Sequence, residues 1–123
     1  MKSEIRISEA ELEVMQQLWS AGEELPASKL IALLGERCGW DGSTTKTLLR
    51  RLCQKGAVAA QKRGVYFYSP LITESEYNAL RTDMLIQRLY GGNARNLIAA
   101  LVSDNRITPD DIEQIRRMFR VDD

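Results

Sequence analysis

The hydrophobic period changes at Gly56, and that change constrains the fold more than any other feature of the chain. Before it, "STTKTLLRRLCQK" (residues 43–55) sets Leu48, Leu49 and Leu52 on one helical face. After it, "AVAAQK" and "VYFYSP" are two β-prone runs separated by Arg63-Gly64, a tight-hairpin signal. Asp41 or Ser43 can cap the helix at its start, and Gly56 is its C-terminal stop. A helix and a two-stranded hairpin are thus joined at one glycine.

Two further helices precede this pair. Residues 8–20 open with a capping box, Ser8 with Glu11 three residues on, and Ile7 and Leu12 can form a hydrophobic staple. Leu12, Met15, Leu18 and Trp19 then recur on one face until Gly22. Residues 27–38 carry Leu30, Ile31, Leu33 and Leu34 as a second amphipathic helix, and "LPA" before it can supply a short third strand. Helix, helix, helix, hairpin is the order of a winged helix-turn-helix. The remainder reads as helical: residues 73–89, a short apolar segment over 94–103, and a final helix capped by Thr108 with Pro109 at its first position. The fold class expected is mainly α (α+β), with a winged-helix domain over 1–71 and a helical region over 72–123.

Charge is distributed more informatively than it is summed. The chain has 17 Lys plus Arg against 17 Asp plus Glu. Residues 1–41 hold eight acids and four cations, whereas residues 42–73 hold six cations and no acid. A neutral chain therefore contains one strongly basic stretch, which points to nucleic acid. On the third helix, Ser43, Thr44, Lys46, Thr47, Arg50 and Arg51 fall on the side away from the leucines or at its edges. Short hydroxyls near a helix N-terminus with guanidinium and ammonium groups beyond them suit a major groove, where Thr approaches base edges and Arg or Lys reaches guanine or phosphate. Lys62 and Arg63 at the hairpin tip would lie against the neighbouring backbone, with Tyr66 or Tyr68 able to hydrogen-bond a phosphate.

Other functions find little support. There is no histidine, no GxSxG and no P-loop, so catalysis is not expected. Cys38 and Cys53 lack metal-ligand spacing and are expected to be small buried or half-buried thiols; no cofactor or metal is expected. The longest apolar run, Leu97 to Val102, is six residues, too short to insert in a membrane, and the N-terminus lacks a signal-peptide core; a cytoplasmic protein is expected. At 123 residues the chain is short enough that dimerisation would help cover its apolar surface.

Three segments, "ISEAELEVMQQLW", "TTKTLLRRLCQKGAV" and "VYFYSPLITESEY", resemble the penicillinase repressor family, and the similarity runs from about Ile7 to Phe119. The resemblance implies a homodimeric winged-helix repressor of double-stranded, dyad-symmetric operator DNA, with its third helix in the major groove. It also implies dimerisation through the C-terminal helices, where Leu85, Leu89, Leu97, Ile98, Leu101, Ile112, Ile115, Met118 and Phe119 supply apolar side chains. In the antibiotic-responsive branch a membrane sensor-protease system triggers cleavage within the short helix after the glycines, and the matching bond is Ala100–Leu101, where the family commonly has Asn-Phe. "DGST" at 41–44 stands where the family commonly has Ser-Pro-Lys-Thr, so the helix entry differs. The ending "RRMFRVDD" lacks the cysteine pairs of the copper-responsive branch, so that metal site is not expected. Two other readings compete: a winged helix whose basic face docks an acidic protein, and a metal- or redox-responsive repressor acting through Cys38 and Cys53.

Overall fold

A computed structural model describes residues 5–119, and the terminal Arg-Val-Asp-Asp lies outside the described residues. Helix α1 (Glu9–Ala21) starts at the expected box: the Ser8 amide donates to Glu11 Oε1 at 2.8 Å and the Glu11 amide donates to Ser8 Oγ at 3.1 Å. Gly22 ends it in the left-handed region (φ 68°), which only glycine enters without cost. Strand β1 (Leu25–Pro26) leads into α2 (Ala27–Cys38), and Asp41 caps α3 (Gly42–Gln54). Strands β2 (Val58–Arg63) and β3 (Val65–Pro70) form the hairpin. Then come α4 (Glu74–Leu89), α5 (Ala94–Ser103) and α6 (Pro109–Phe119). The last three also have capped starts, with Thr73 and Glu76 exchanging bonds before α4, Asn93 before α5, and Thr108 and Asp111 before α6.

The sheet is antiparallel with order β1-β3-β2, so the short "LPA" strand adds to the outer side of β3, pairing Leu25 with Tyr68 and Pro26 with Phe67. Across the hairpin, Lys62 faces Tyr66 and Arg63 faces Val65. Packing divides the chain into two compact units, one ending at Ala79 and the other beginning at Leu80.

In the first unit, α1 contributes Val14, Met15 and Leu18 to the core, α2 contributes Leu30 and Leu34, and α3 contributes Leu48, Leu49 and Leu52. Each such side chain contributes roughly 1.5–3 kcal/mol on leaving water. Ile72 and Tyr77 join this core beyond the hairpin. Trp19 holds both: its indole N–H donates to the Ile72 carbonyl at 3.0 Å, and its ring lies 5.7 Å from that of Tyr77. The first turn of α4 therefore packs with α1. Glu11, a capping residue in the sequence reading, is also a core residue, only 2% exposed.

The second unit is different in kind. No residue of α5 or α6 is buried. Leu89, Ile98, Ile112, Ile115, Met118 and Phe119 are all exposed in the single chain.

Candidate nucleic-acid interface

The α3 surface follows from its core face. Thr45, Leu48, Leu49 and Leu52 are buried, at the i, i+3, i+4, i+7 spacing of one helical stripe. That leaves Ser43, Thr44, Lys46, Arg50 and Arg51 exposed and Thr47 half-buried at the stripe's edge. Among the described residues, Lys46, Arg50 and Arg51 have no carboxylate partner, so their full charge is offered to whatever meets this face.

The hydroxyls at the helix entry are already oriented. Asp41 Oδ1 accepts from Ser43 Oγ at 2.6 Å, from the Thr44 amide at 3.0 Å and from Thr44 Oγ1 at 3.3 Å. The hydrogen bond from Ser43, then those from Thr44, hold the Asp41 carboxyl below its ordinary range, so it is ionised and can only accept. Ser43 and Thr44 therefore commit their protons inward and present oxygen lone pairs outward. Acceptors at a helix N-terminus suit an amino hydrogen-bond donor, such as that of cytosine or adenine, and not a phosphate oxygen. Gly42 is no sterically forced glycine: a Cβ there would meet Ile31 at 3.5 Å, an ordinary contact.

The hairpin divides its two neighbouring cations. Side chains alternate along a strand, so Lys62 and Arg63 lie on opposite faces. Lys62 Nζ stands 5.7 Å over the exposed ring of Tyr66. Arg63 lies instead with its guanidinium carbon 4.4 Å over Phe67, Nη1 donating to Gln61 Oε1 at 3.0 Å and Nη2 paired with Glu24 Oε1. Both cations precede the turn at Gly64, and strand periodicity is the signal that separates their faces. Tyr68 is half-buried, and burial first, then Cys53 and Tyr66, pushes its phenol up.

Lys55 departs from the other cations of the basic stretch. Its Nζ donates to the Arg6 carbonyl at 2.6 Å and to Glu11 Oε1 at 2.5 Å, which ties the end of α3 to the start of α1. Burial pushes the Glu11 carboxyl up, but the Lys55 and Ser8 hydrogen bonds and the Lys55 charge outweigh it, and the net shift is downward. No residue within the basic stretch announces this role, because Glu11 is 44 positions away.

Cys38 and Cys53 are both half-buried free thiols, and burial is the main cause raising each above the usual thiol range. Among the described residues no three His, Cys, Asp or Glu side chains gather as a metal site, and no helix is long and apolar enough to cross a membrane. The Ala100–Leu101 bond lies inside α5 with both residues half-buried, so a protease could reach it only after that turn unwinds.

Three helices, a hairpin wing and an unpaired basic face on the third helix define a winged helix-turn-helix protein of the nucleic-acid-binding class. The chain belongs to the penicillinase repressor family, a family of transcriptional repressors and not of enzymes, whose family model matches residues 7–120. The penicillinase repressor of Bacillus licheniformis is 30% identical over 120 residues, covering 97% of this chain and 93% of that one. The methicillin resistance regulatory protein MecI of Staphylococcus aureus (strain N315) is 29% identical over 114 residues, 92% of each chain. Among solved structures, the DNA-binding domain of the repressor BlaI superposes with a TM-score of 0.55 at 39% identity, over 59% of this chain and 89% of that one. The monomeric form of Bacillus licheniformis BlaI in complex with the blaP half-operator gives 0.52 at 40% identity, over 58% and 88%.

Proposed function

We propose that the protein represses transcription as a cytoplasmic homodimer bound to a palindromic DNA operator. The observation that carries this reading is the α3 face, where Lys46, Arg50 and Arg51 stand unpaired beside oriented hydroxyls, above a fully buried leucine stripe. Residues 1–71 hold the DNA-binding elements, and the helical region 72–123 supplies the dimerisation surface beyond the first turn of α4, which still packs with α1. α3 enters the major groove with Ser43, Thr44 and Thr47 at base edges, while Lys46, Arg50 and Arg51 reach guanine acceptors or phosphates. Lys62 and Tyr66 on the wing contact the flanking backbone, with Arg63 at the same hairpin tip on the opposite face of the strand.

The exposed apolar residues of α4, α5 and α6 support the dimer. Two copies would place two recognition helices about 34 Å apart, or a multiple of it, and an operator with matching dyad symmetry follows. Release comes from a signal that weakens the dimer, such as cleavage at Ala100–Leu101 under a membrane sensor-protease system. Once the half-sites are no longer linked, avidity is lost even though each α3 face is intact.

Selection from a random duplex pool should recover a dyad-symmetric site, and nuclease protection should cover both halves. The double substitution Arg50→Ala plus Arg51→Ala should abolish that protection and flatten the log–log salt dependence by about 0.9 per lost phosphate contact. A double variant that protects the site as the wild type does would exclude this face, and a basic surface for an acidic protein partner would then be the better reading.

A further inference from the structure

We propose that Glu24, which immediately precedes β1, is an internal competitor for the wing: it occupies Arg63, so that, among the described residues, Lys62 is the wing cation without a carboxylate partner and the one offered to DNA. The inference rests on the DNA-binding reading above and adds a residue that tunes it. Arg63 is held from three sides, by the Glu24 carboxylate at Nη2, by Gln61 Oε1 at Nη1 and by the Phe67 ring beneath the guanidinium. Lys62, one residue earlier on the opposite face, has only the Tyr66 ring near its ammonium and no carboxylate partner among the described residues.

The topology makes this arrangement possible. β1 adds antiparallel to β3 on the side away from β2, with Leu25 opposite Tyr68 and Pro26 opposite Phe67, so Glu24, two residues before Pro26, falls on the sheet face that carries the ring on which Arg63 rests. Glu24 therefore plays the part toward Arg63 that a DNA phosphate would play. The side chains of the pair are 45% and 38% exposed, so water screens the attraction and a phosphate can displace the carboxylate. A displaced Glu24 would still stand beside the phosphate and oppose it, because like charges brought together at an interface are costly. Glu24 is thus a positioning residue for the wing, weakening a backbone contact and leaving discrimination to α3.

The test is the affinity for a DNA duplex of mixed sequence, measured across a salt series, since phosphate contacts do not depend on sequence. Glu24→Gln should bind roughly two- to fivefold more tightly at low salt, the fold-change that one exposed ion pair corresponds to. Its log–log slope should steepen by about 0.9 for each wing engaged. Both gains should vanish when Glu24→Gln is combined with Arg63→Ala. Glu23→Gln, which changes the net charge equally at the adjacent position, should leave affinity and slope at the wild-type values. A circular-dichroism melt checks the fold, with Glu24→Ala replacing Glu24→Gln if the latter melts early. Equal gains from Glu23→Gln, gains that persist without Arg63, or no gain while the wild type still binds would each overturn the proposal. Salt-independent or absent binding by the wild type would instead overturn the DNA reading itself, and this proposal with it.

Discussion

Thr45 sits fully buried on the core stripe of α3, and its hydroxyl oxygen has no hydrogen-bond partner among the described residues. A buried hydroxyl left unpaired costs on the order of 1–3 kcal/mol. Thr45→Val keeps the shape and removes the unpaired oxygen, so it should stabilise the first unit by about 1 kcal/mol. Thermal unfolding should show this as a midpoint about 4–8 °C higher. DNA affinity should not change, because Thr45 faces the core while Thr44 is exposed and Thr47 lies at the stripe's edge. In sequence the three threonines look alike; only the phase of the leucine stripe separates one from the other two.

Lys55, Glu11 and the Arg6 carbonyl act between elements, fastening the end of α3 to the start of α1. Removing one partner leaves the Glu11 carboxylate buried without its counter-charge. Lys55→Met should cost about 2 kcal/mol, less than at a fully buried site because the Lys55 side chain is 35% exposed. Because the folded protein holds Glu11 below its ordinary value, the contribution is complete above the unfolded pKa of about 4.5 and is lost as pH falls through the lower folded value. Denaturant midpoints measured across the acid range should therefore fall more steeply in the wild type than in Lys55→Met, and the two should converge at low pH. The hairpin makes a related point at this scale. Its existence and its turn at Gly64 are legible from "AVAAQKRGVYFYSP", whereas the separate partners of Lys62 and Arg63 follow from the strand alternation that sends them to opposite faces.

For the whole molecule, the contrast between the two units matters most. The first unit closes its own core, whereas no residue of α5 or α6 is more than half-buried in one chain although Ile112, Ile115, Met118 and Phe119 share an apolar face. Ile115→Asp should convert a dimer to a monomer in analytical ultracentrifugation without lowering the unfolding midpoint of the winged helix. Its operator affinity should fall by roughly 10²–10⁴-fold, the loss expected when two half-site contacts are unlinked. The sequence by itself determined the helix starts, the hairpin, the buried stripe of α3 and the acid-free stretch over 42–73 that carries it. These follow from rules spanning three or four residues: caps, helical and strand periods, and a glycine where the chain reverses. The tertiary structure alone decided that Glu11 is a buried partner of Lys55, that Glu24 takes Arg63 and that Trp19 reaches the Ile72 carbonyl. Those pairs are 44, 39 and 53 residues apart, and no local period relates them. A charge becomes visible in sequence when its neighbours share its sign; whether it is free to meet DNA depends on which carboxylate the fold brings beside it.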